Sequence, residues 1–165
     1  MTSTARPLVS RWTSVVAALI FSLAIFAVDQ GLKRLVEGAM RLGETLPAIP
    51  GVLNFTYIEN DGGAFGILGG SQVVLLIGSA VAVGVVLWML LSGEPSKLTG
   101  AACGLVLGGA TGNLLDRLSA GKVTDYLDLQ FLPLQEWPIF NAADIAITTG
   151  VGLLLLSAIR SPEKG

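Results

Sequence analysis

Four long apolar runs, separated by polar stretches of unequal character, organise this chain of 165 residues. Trp12 to Val28 is uncharged over 17 residues, Val73 to Leu91 over 19, and Leu98 to Leu115 over 18. The last run, Ile145 to Ile159, has 15 residues, or 21 when begun at Ile139 with Asp144 inside it. A hydrocarbon layer about 30 Å thick takes roughly 20 helical residues, so each run has spanning length. The expected spans are 12–29, 72–91, 98–116 and 140–159, within a single integral membrane domain over 1–165.

The first run has a competing reading as a cleaved signal peptide, with a basic start and small Ala27 near its end. It continues directly into Asp29, Gln30 and Lys33, which favours a retained span. Four spans put both termini on one side. Lys and Arg do not choose that side, because five fall on each: Arg6, Arg11, Lys97, Arg160 and Lys164 against Lys33, Arg34, Arg41, Arg117 and Lys122. Arg6 and Arg11 flank the first span, which usually dominates, so the termini are expected in the cytoplasm.

Two connecting segments, 30–71 and 117–139, are long and lie on the other, extracytoplasmic side. The first holds a basic, helical-looking piece over Lys33–Met40, then Pro47 and Pro50. Val52–Leu68 follows as an expected hairpin or small antiparallel sheet, with turn chemistry at Gly62, Gly63, Gly69 and Gly70. The second holds a β-like stretch, Lys122–Phe131, before a Pro-bounded loop. Ser92–Lys97, opposite, is a short turn. The fold class expected is thus an all-α four-helix membrane bundle with a small extracytoplasmic sheet.

On the third span Gly100, Gly104, Gly108 and Gly112 recur every four residues, which lets a neighbouring helix approach closely. Gly78, Ala82 and Gly84 of the second span are the expected partners.

Composition narrows the chemistry. The chain is 52% hydrophobic and 13% charged, where soluble domains carry roughly 25% charge. It has no histidine, and its one cysteine, Cys103, sits in an apolar run, which excludes disulfides and argues against metal clusters. A net charge of −2 without a basic tract argues against nucleic acid. Carboxylates are the main acid–base groups left.

Acids are costly in spans, by about 2.5–3.5 kcal/mol at a helix centre, and need a reason there. Asp29, Asp116, Asp125 and Asp144 all collect at one end of the spans, with Asn54, Asn60, Asn113 and Asn141. Asn113, Asp116 and Arg117 share a helix face, with Arg117 as a counter-charge, and Asn141 and Asp144 are three apart at a helix start. Each also has a plain structural reading. Asn141 suits an N-cap and Asp144 the helix dipole. Asp116–Arg117 and Asp29–Lys33 suit surface pairs, and Asp125 and Asp128 suit a solvated strand.

Taken together, the blocks DQGLK at 29–33, NDGGAFG at 60–66, GGATGNLLDR at 108–117, VTDYLD at 123–128 and FNAAD at 140–144 resemble the signatures of lipoprotein signal peptidases. The resemblance covers nearly the whole chain, in order and spacing. It implies a multi-pass enzyme of the bacterial inner membrane, with four helices, a small extracytoplasmic sheet and a short surface helix. The implied activity is that of an intramembrane aspartic endopeptidase that cuts prolipoprotein signal peptides before a diacylglyceryl-modified cysteine. It implies Asp125 and Asp144 as the catalytic pair near the extracytoplasmic face. Asn60, Asn113, Asp116, Arg117, Asn141, Asp29 and Lys33 follow as supporting residues. Glu59 and Gly63-Ala64 depart from the family's usual pattern.

The chemistry such a pair supports is a shared proton, one acid activating water and the other hydrogen-bonding the scissile carbonyl. No metal or cofactor is expected, the partners are the lipidated substrate and membrane lipid, and the expected state is a monomer. Asp144, on a helix, is the expected fixed partner, Asp125 the mobile one, and the glycine-rich loop a gate. Two other classes compete: a small channel or ion-coupled transporter, which would spread its acids through the membrane depth, and a structural or assembly subunit using the glycine stripe for partner helices.

Overall fold

A computed structural model describes residues 8–61, 72–92 and 95–160. The glycine-rich loop with Gly62, Gly63, Ala64, Gly69 and Gly70 lies outside them, as do Gly93 and Glu94 of the second connection. The elements, in order, are α1 (Leu8–Ala39), β1 (Thr45–Ile49), β2 (Leu53–Asn60), α2 (Gln72–Ser92), α3 (Lys97–Ser119), β3 (Val123–Leu129) and α4 (Ala142–Arg160). A 3-10 turn, Leu134–Glu136, precedes α4. Stretches of all four helices, Trp12–Ala39, Val73–Ser92, Lys97–Ser119 and Ala142–Ile159, are long and apolar enough to cross a membrane.

The helix α1 exceeds expectation. Its 32 residues extend to about 48 Å at 1.5 Å per residue, well past a hydrocarbon layer of about 30 Å. The basic piece expected over 33–40 is the continuation of this helix, whose upper part, with Asp29, Gln30, Lys33 and Glu37, packs against β3. Hydropathy stops the span at its first charge, whereas the backbone continues because those polar groups find partners inside the protein.

At the centre, α3 packs against α1, α2 and α4. Its most apolar window is 61% buried, against 11% for α2 and 17% for α1 and α4, whose large side chains face outward. Val15 and Ala18 of α1, Val86 and Leu90 of α2, and Cys103, Val106 and Leu107 of α3 form one buried cluster, so the lone cysteine is a core side chain. The glycine stripe turns to α1, which corrects the expected partner. A Cβ on Gly104 would lie 2.9 Å from the Ala18 carbonyl oxygen, and one on Gly108 2.6 Å from that of Ser22. Gly78 and Gly84 have open space instead. A second close approach joins α3 to α4, where Cβ atoms on Gly109 and Gly150 would meet the carbonyls of Ala143 and Ala102.

The three strands form one antiparallel sheet in the order β1-β2-β3. The hairpin thus begins earlier than expected, with a strand containing Pro47. Proline is tolerated there because β1 is an edge, and its register shifts between Pro47 and Ile49. Val52 N–H donates to the Ile49 carbonyl (3.0 Å) across Pro50-Gly51, and Gly51 takes the positive φ of 72° that a type II turn requires. The sheet is fastened to α4: Tyr126 and Leu127 donate to the Phe140 carbonyl, and Phe140 N–H donates back to Leu127. At the end of α3, Gly121 adopts φ 74° and donates to Arg117, closing the helix and releasing the chain into β3.

Candidate active site

Strand β3 carries Asp125, and its ties to Phe140 fix that strand one residue ahead of Asn141 and four ahead of Asp144. Asn141 caps α4: its Oδ1 accepts from Asp144 N–H (3.0 Å), while Asp144 Oδ2 accepts from Asn141 N–H (3.1 Å). This reciprocal cap is a backbone device that also pins one oxygen of the acid. The second Asp144 oxygen accepts from Asn113 Nδ2 on α3 (2.9 Å).

Asp125 is 2% exposed, not on a solvated strand face. It accepts from Asn141 Nδ2 (2.6 Å) through one oxygen and from Asn60 Nδ2 of β2 (2.8 Å) through the other. Burial pushes its carboxyl up to about 7. The charge of Asp144 adds to that rise, and the amides of Asn60 and Asn141 oppose it. Each acid is therefore held by two nitrogen donors, and Asn141 touches both. Among the described residues neither forms an ion pair.

Asp29, Lys33 and Asp116 sit directly behind. Lys33, 2% exposed, reaches Asp29 (2.9 Å), Asp116 (2.6 Å) and the Asn113 Oδ1 (2.8 Å). Asp29 is fully buried, and its other oxygen accepts from Ala143 N–H (3.0 Å), closing a second free donor of α4. The pair expected on a helix surface is thus an interior junction of α1, α3 and α4. Asp116 pairs with Lys33 and not with Arg117, a correction to the sequence reading. Arg117 turns the other way, towards Ser79 Oγ of α2 (3.3 Å). Gly112 makes room: a Cβ there would strike the Asp29 carboxylate.

Because Asn113 Oδ1 accepts from both Lys33 and Asn141, its Nδ2 must face Asp144. The buried cation therefore sets the amide orientation that supports the acid. Three contributors escaped the sequence reading. Gln30 donates to Asp116 (2.9 Å) and lies 3.3 Å from Asp29. Thr124 Oγ1 donates to Glu37 of α1 (2.6 Å), and the Thr124 carbonyl accepts from Asn141. Gln30 was legible as a polar residue inside an apolar helix beside Asp29; the Glu37–Thr124 contact spans 87 positions and left no local signal. Glu59, one of the unusual residues, pairs with Lys122 (2.9 Å) at the surface, away from the acids.

Asp125 and Asp144 open onto a cavity of about 460 Å³, lined also by Asn60, Asn113, Arg117, Trp137, Ile145, Thr148 and Thr149. A cleft of that size, open on one side and walled by two carboxylates, admits a peptide segment and water.

The architecture is that of a membrane enzyme. It matches a solved bacterial membrane enzyme structure, obtained by the in meso method at 2.3 Å, with a TM-score of 0.80 and 26% identity over 90% of this chain and 94% of that one. A second such structure, at 1.9 Å, matches with the same TM-score and 27% identity. Residues 21–160 match the family model described as signal peptidase (SPase) II. The lipoprotein signal peptidase of Syntrophotalea carbinolica is 40% identical over 146 residues, covering 86% of this chain and 90% of that protein. That of Shouchella clausii is 42% identical over 143 residues, covering 86% and 92%. The chain belongs to the signal peptidase II family. Its members are peptidases that remove signal peptides from prolipoproteins, as multi-pass proteins of the bacterial inner membrane.

Proposed function

We propose that this peptidase is of the aspartic type, with Asp125 and Asp144 as its catalytic pair. The observation that carries the reading is that two carboxylates, from β3 and α4, meet one asparagine, Asn141, over an open cavity with no cation paired to either among the described residues. Burial above all, and then the charge of Asp144, makes ionisation of Asp125 costly, so the pair keeps one proton up to about neutral pH. The ionised acid takes a proton from water as that water attacks the scissile carbonyl. The protonated acid donates to the carbonyl oxygen as negative charge develops there. Collapse of the tetrahedral intermediate returns a proton to the leaving amine, and no covalent enzyme intermediate forms.

Asn60, Asn113 and Asn141 orient the acids, Arg117 in the cavity wall holds the substrate backbone, and Asp29, Lys33 and Asp116 hold the frame. The substrate is a prolipoprotein cut before a diacylglyceryl-modified cysteine, whose acyl chains stay in the bilayer while the peptide bond reaches water. The protein acts as a monomer in a single membrane domain, with cytoplasmic termini and the acid pair at the extracytoplasmic edge. The test is cleavage of a diacylglyceryl-modified precursor by purified protein. Asp125→Asn and Asp144→Asn are each expected to lose at least about a hundredfold in kcat while keeping their fold. Normal cleavage by either variant contradicts the assignment.

A further inference from the structure

Two hydroxyls in the cavity wall have no role in the acid pair. Thr148 and Thr149 line the same cavity as Asp125 and Asp144, on the stretch of α4 that runs into the membrane. The α3-facing seam of α4 is made by Ala143, Ile147 and Gly150, against Gly109, Ala102 and Val106, so the two threonines look away from the packed interface. Both are exposed. Hydroxyls on membrane helices ordinarily satisfy themselves by donating to the carbonyl one turn back. Ser79 and Ser119 do this here, to Leu75 (2.9 Å) and Leu115 (2.8 Å), and Thr99 pairs with Ser157 (3.1 Å). Thr148 and Thr149 make no hydrogen bond among the described residues.

A peptide bond about to be cut must lie extended across the acid pair, and its neighbours lose the helical hydrogen bonds they had in the bilayer. Each main-chain N–H or C=O left open in that medium is costly, so cleavage at a membrane edge needs replacement partners. Thr148 is four residues below Asp144, about 6 Å along the helix axis at 1.5 Å per residue. An extended chain covers that distance in about two residues at 3.3 Å each. We infer that Thr148 and Thr149 are substrate-binding residues that hydrogen-bond the extended main chain of the signal segment about two residues before the scissile bond. The inference rests on the prolipoprotein-cleaving reading above. A hydroxyl both donates and accepts, so it serves main chain of any side-chain sequence.

The test uses the full-length enzyme in lipid nanodiscs and synthetic diacylglyceryl-modified precursor peptides. Thr148→Val/Thr149→Val keeps shape and removes both hydroxyls; it is expected to raise KM roughly five- to tenfold with kcat little changed. Thr148→Ser/Thr149→Ser is expected to restore KM, which a purely packing role would not do. A precursor with an ester replacing the amide two residues before the cut removes the main-chain N–H. Wild type should lose affinity for it, and the valine variant should lose little more. A precursor carrying ether-linked chains removes the lipid ester carbonyls, the other acceptors at this depth; wild type and valine variant should keep their five- to tenfold difference on it. Unchanged KM in the valine variant overturns the inference. So does a difference that vanishes on the ether-linked lipid and persists on the ester-containing peptide. Wild-type cleavage beside an inactive Asp144→Asn control keeps the parent reading separate, because that control stands whether or not the threonines matter.

Discussion

Two pairs of carboxylates lie side by side in this protein, and they are treated in opposite ways. Asp29 and Asp116 converge on Lys33, and their remaining oxygens take Gln30 and the Ala143 amide. Among the described residues Asp125 and Asp144 accept from neutral donors, the side chains of Asn60, Asn113 and Asn141 and one backbone N–H. The first pair is charge-compensated and locked between helices. The second forms no ion pair among the described residues and faces an open cavity, whose wall Arg117 shares. Buried acids paired to a cation are structural cement, whereas acids held by neutral donors retain the freedom to exchange a proton. The difference separates frame from chemistry within one cluster that looks uniform in the sequence.

Removing the shared cation should break the comparison most severely. Lys33→Met strands the buried Asp29 and the half-buried Asp116, and a broken buried pair costs about 3–5 kcal/mol. The expected result is a large fall in unfolding temperature in detergent, with much of the protein failing to fold. Stability close to wild type would mean the junction is not structural. A smaller loss is expected where the frame is disturbed only through packing. Gly108→Val pushes a side chain into the Ser22 carbonyl, and overpacking of this kind costs about 1–3 kcal/mol. Thermal unfolding measures it, with Gly78→Val, which meets open space, as the control expected to be near neutral.

The pH dependence sharpens the other half. Burial pushes the Asp125 carboxyl up from its ordinary 3.8 to about 7, so protonation favours the folded state. Its contribution to stability is whole below about pH 4 and is lost as pH rises through about 7. Cleavage should decline over the same alkaline limb as the pair loses its shared proton. The Asn60 hydrogen bond holds that carboxyl down, so Asn60→Ala should move the limb to higher pH in a kcat/KM profile. A limb moving downward would contradict the hydrogen bond's role.

Much of this design is legible in the order of residues, and its limits have physical reasons. Hydropathy finds the four spans because lipid imposes one solvent on each outward face. It ends the first at Asp29 because it counts charges without seeing their partners; Lys33 and Asn113, which satisfy that region, meet across 80 positions. Four-residue glycine spacing identifies a close-packed face, yet nothing in spacing says that α1 and not α2 fills it. Pro47 reads as a strand breaker, and only the position of β1 at a sheet edge makes it acceptable. Asp116 and Arg117 read as partners because they are adjacent, but successive helix positions point about 100° apart, which sends one to Lys33 and the other to Ser79. The reading of Asn141 as an N-cap and Asp144 as a first-turn acid holds because both are local rules of helix ends.

The division between the two acid pairs is tested most directly by measuring kcat per folded molecule and unfolding temperature for Asp29→Asn, Asp125→Asn and Asp144→Asn in one nanodisc preparation. Asp125→Asn and Asp144→Asn should lose at least about a hundredfold in kcat with little change in unfolding temperature. Asp29→Asn should unfold at distinctly lower temperature, while its folded fraction still cleaves within about tenfold of wild type. The reverse pattern, an active Asp125→Asn or a stable but inactive Asp29→Asn, would contradict the account.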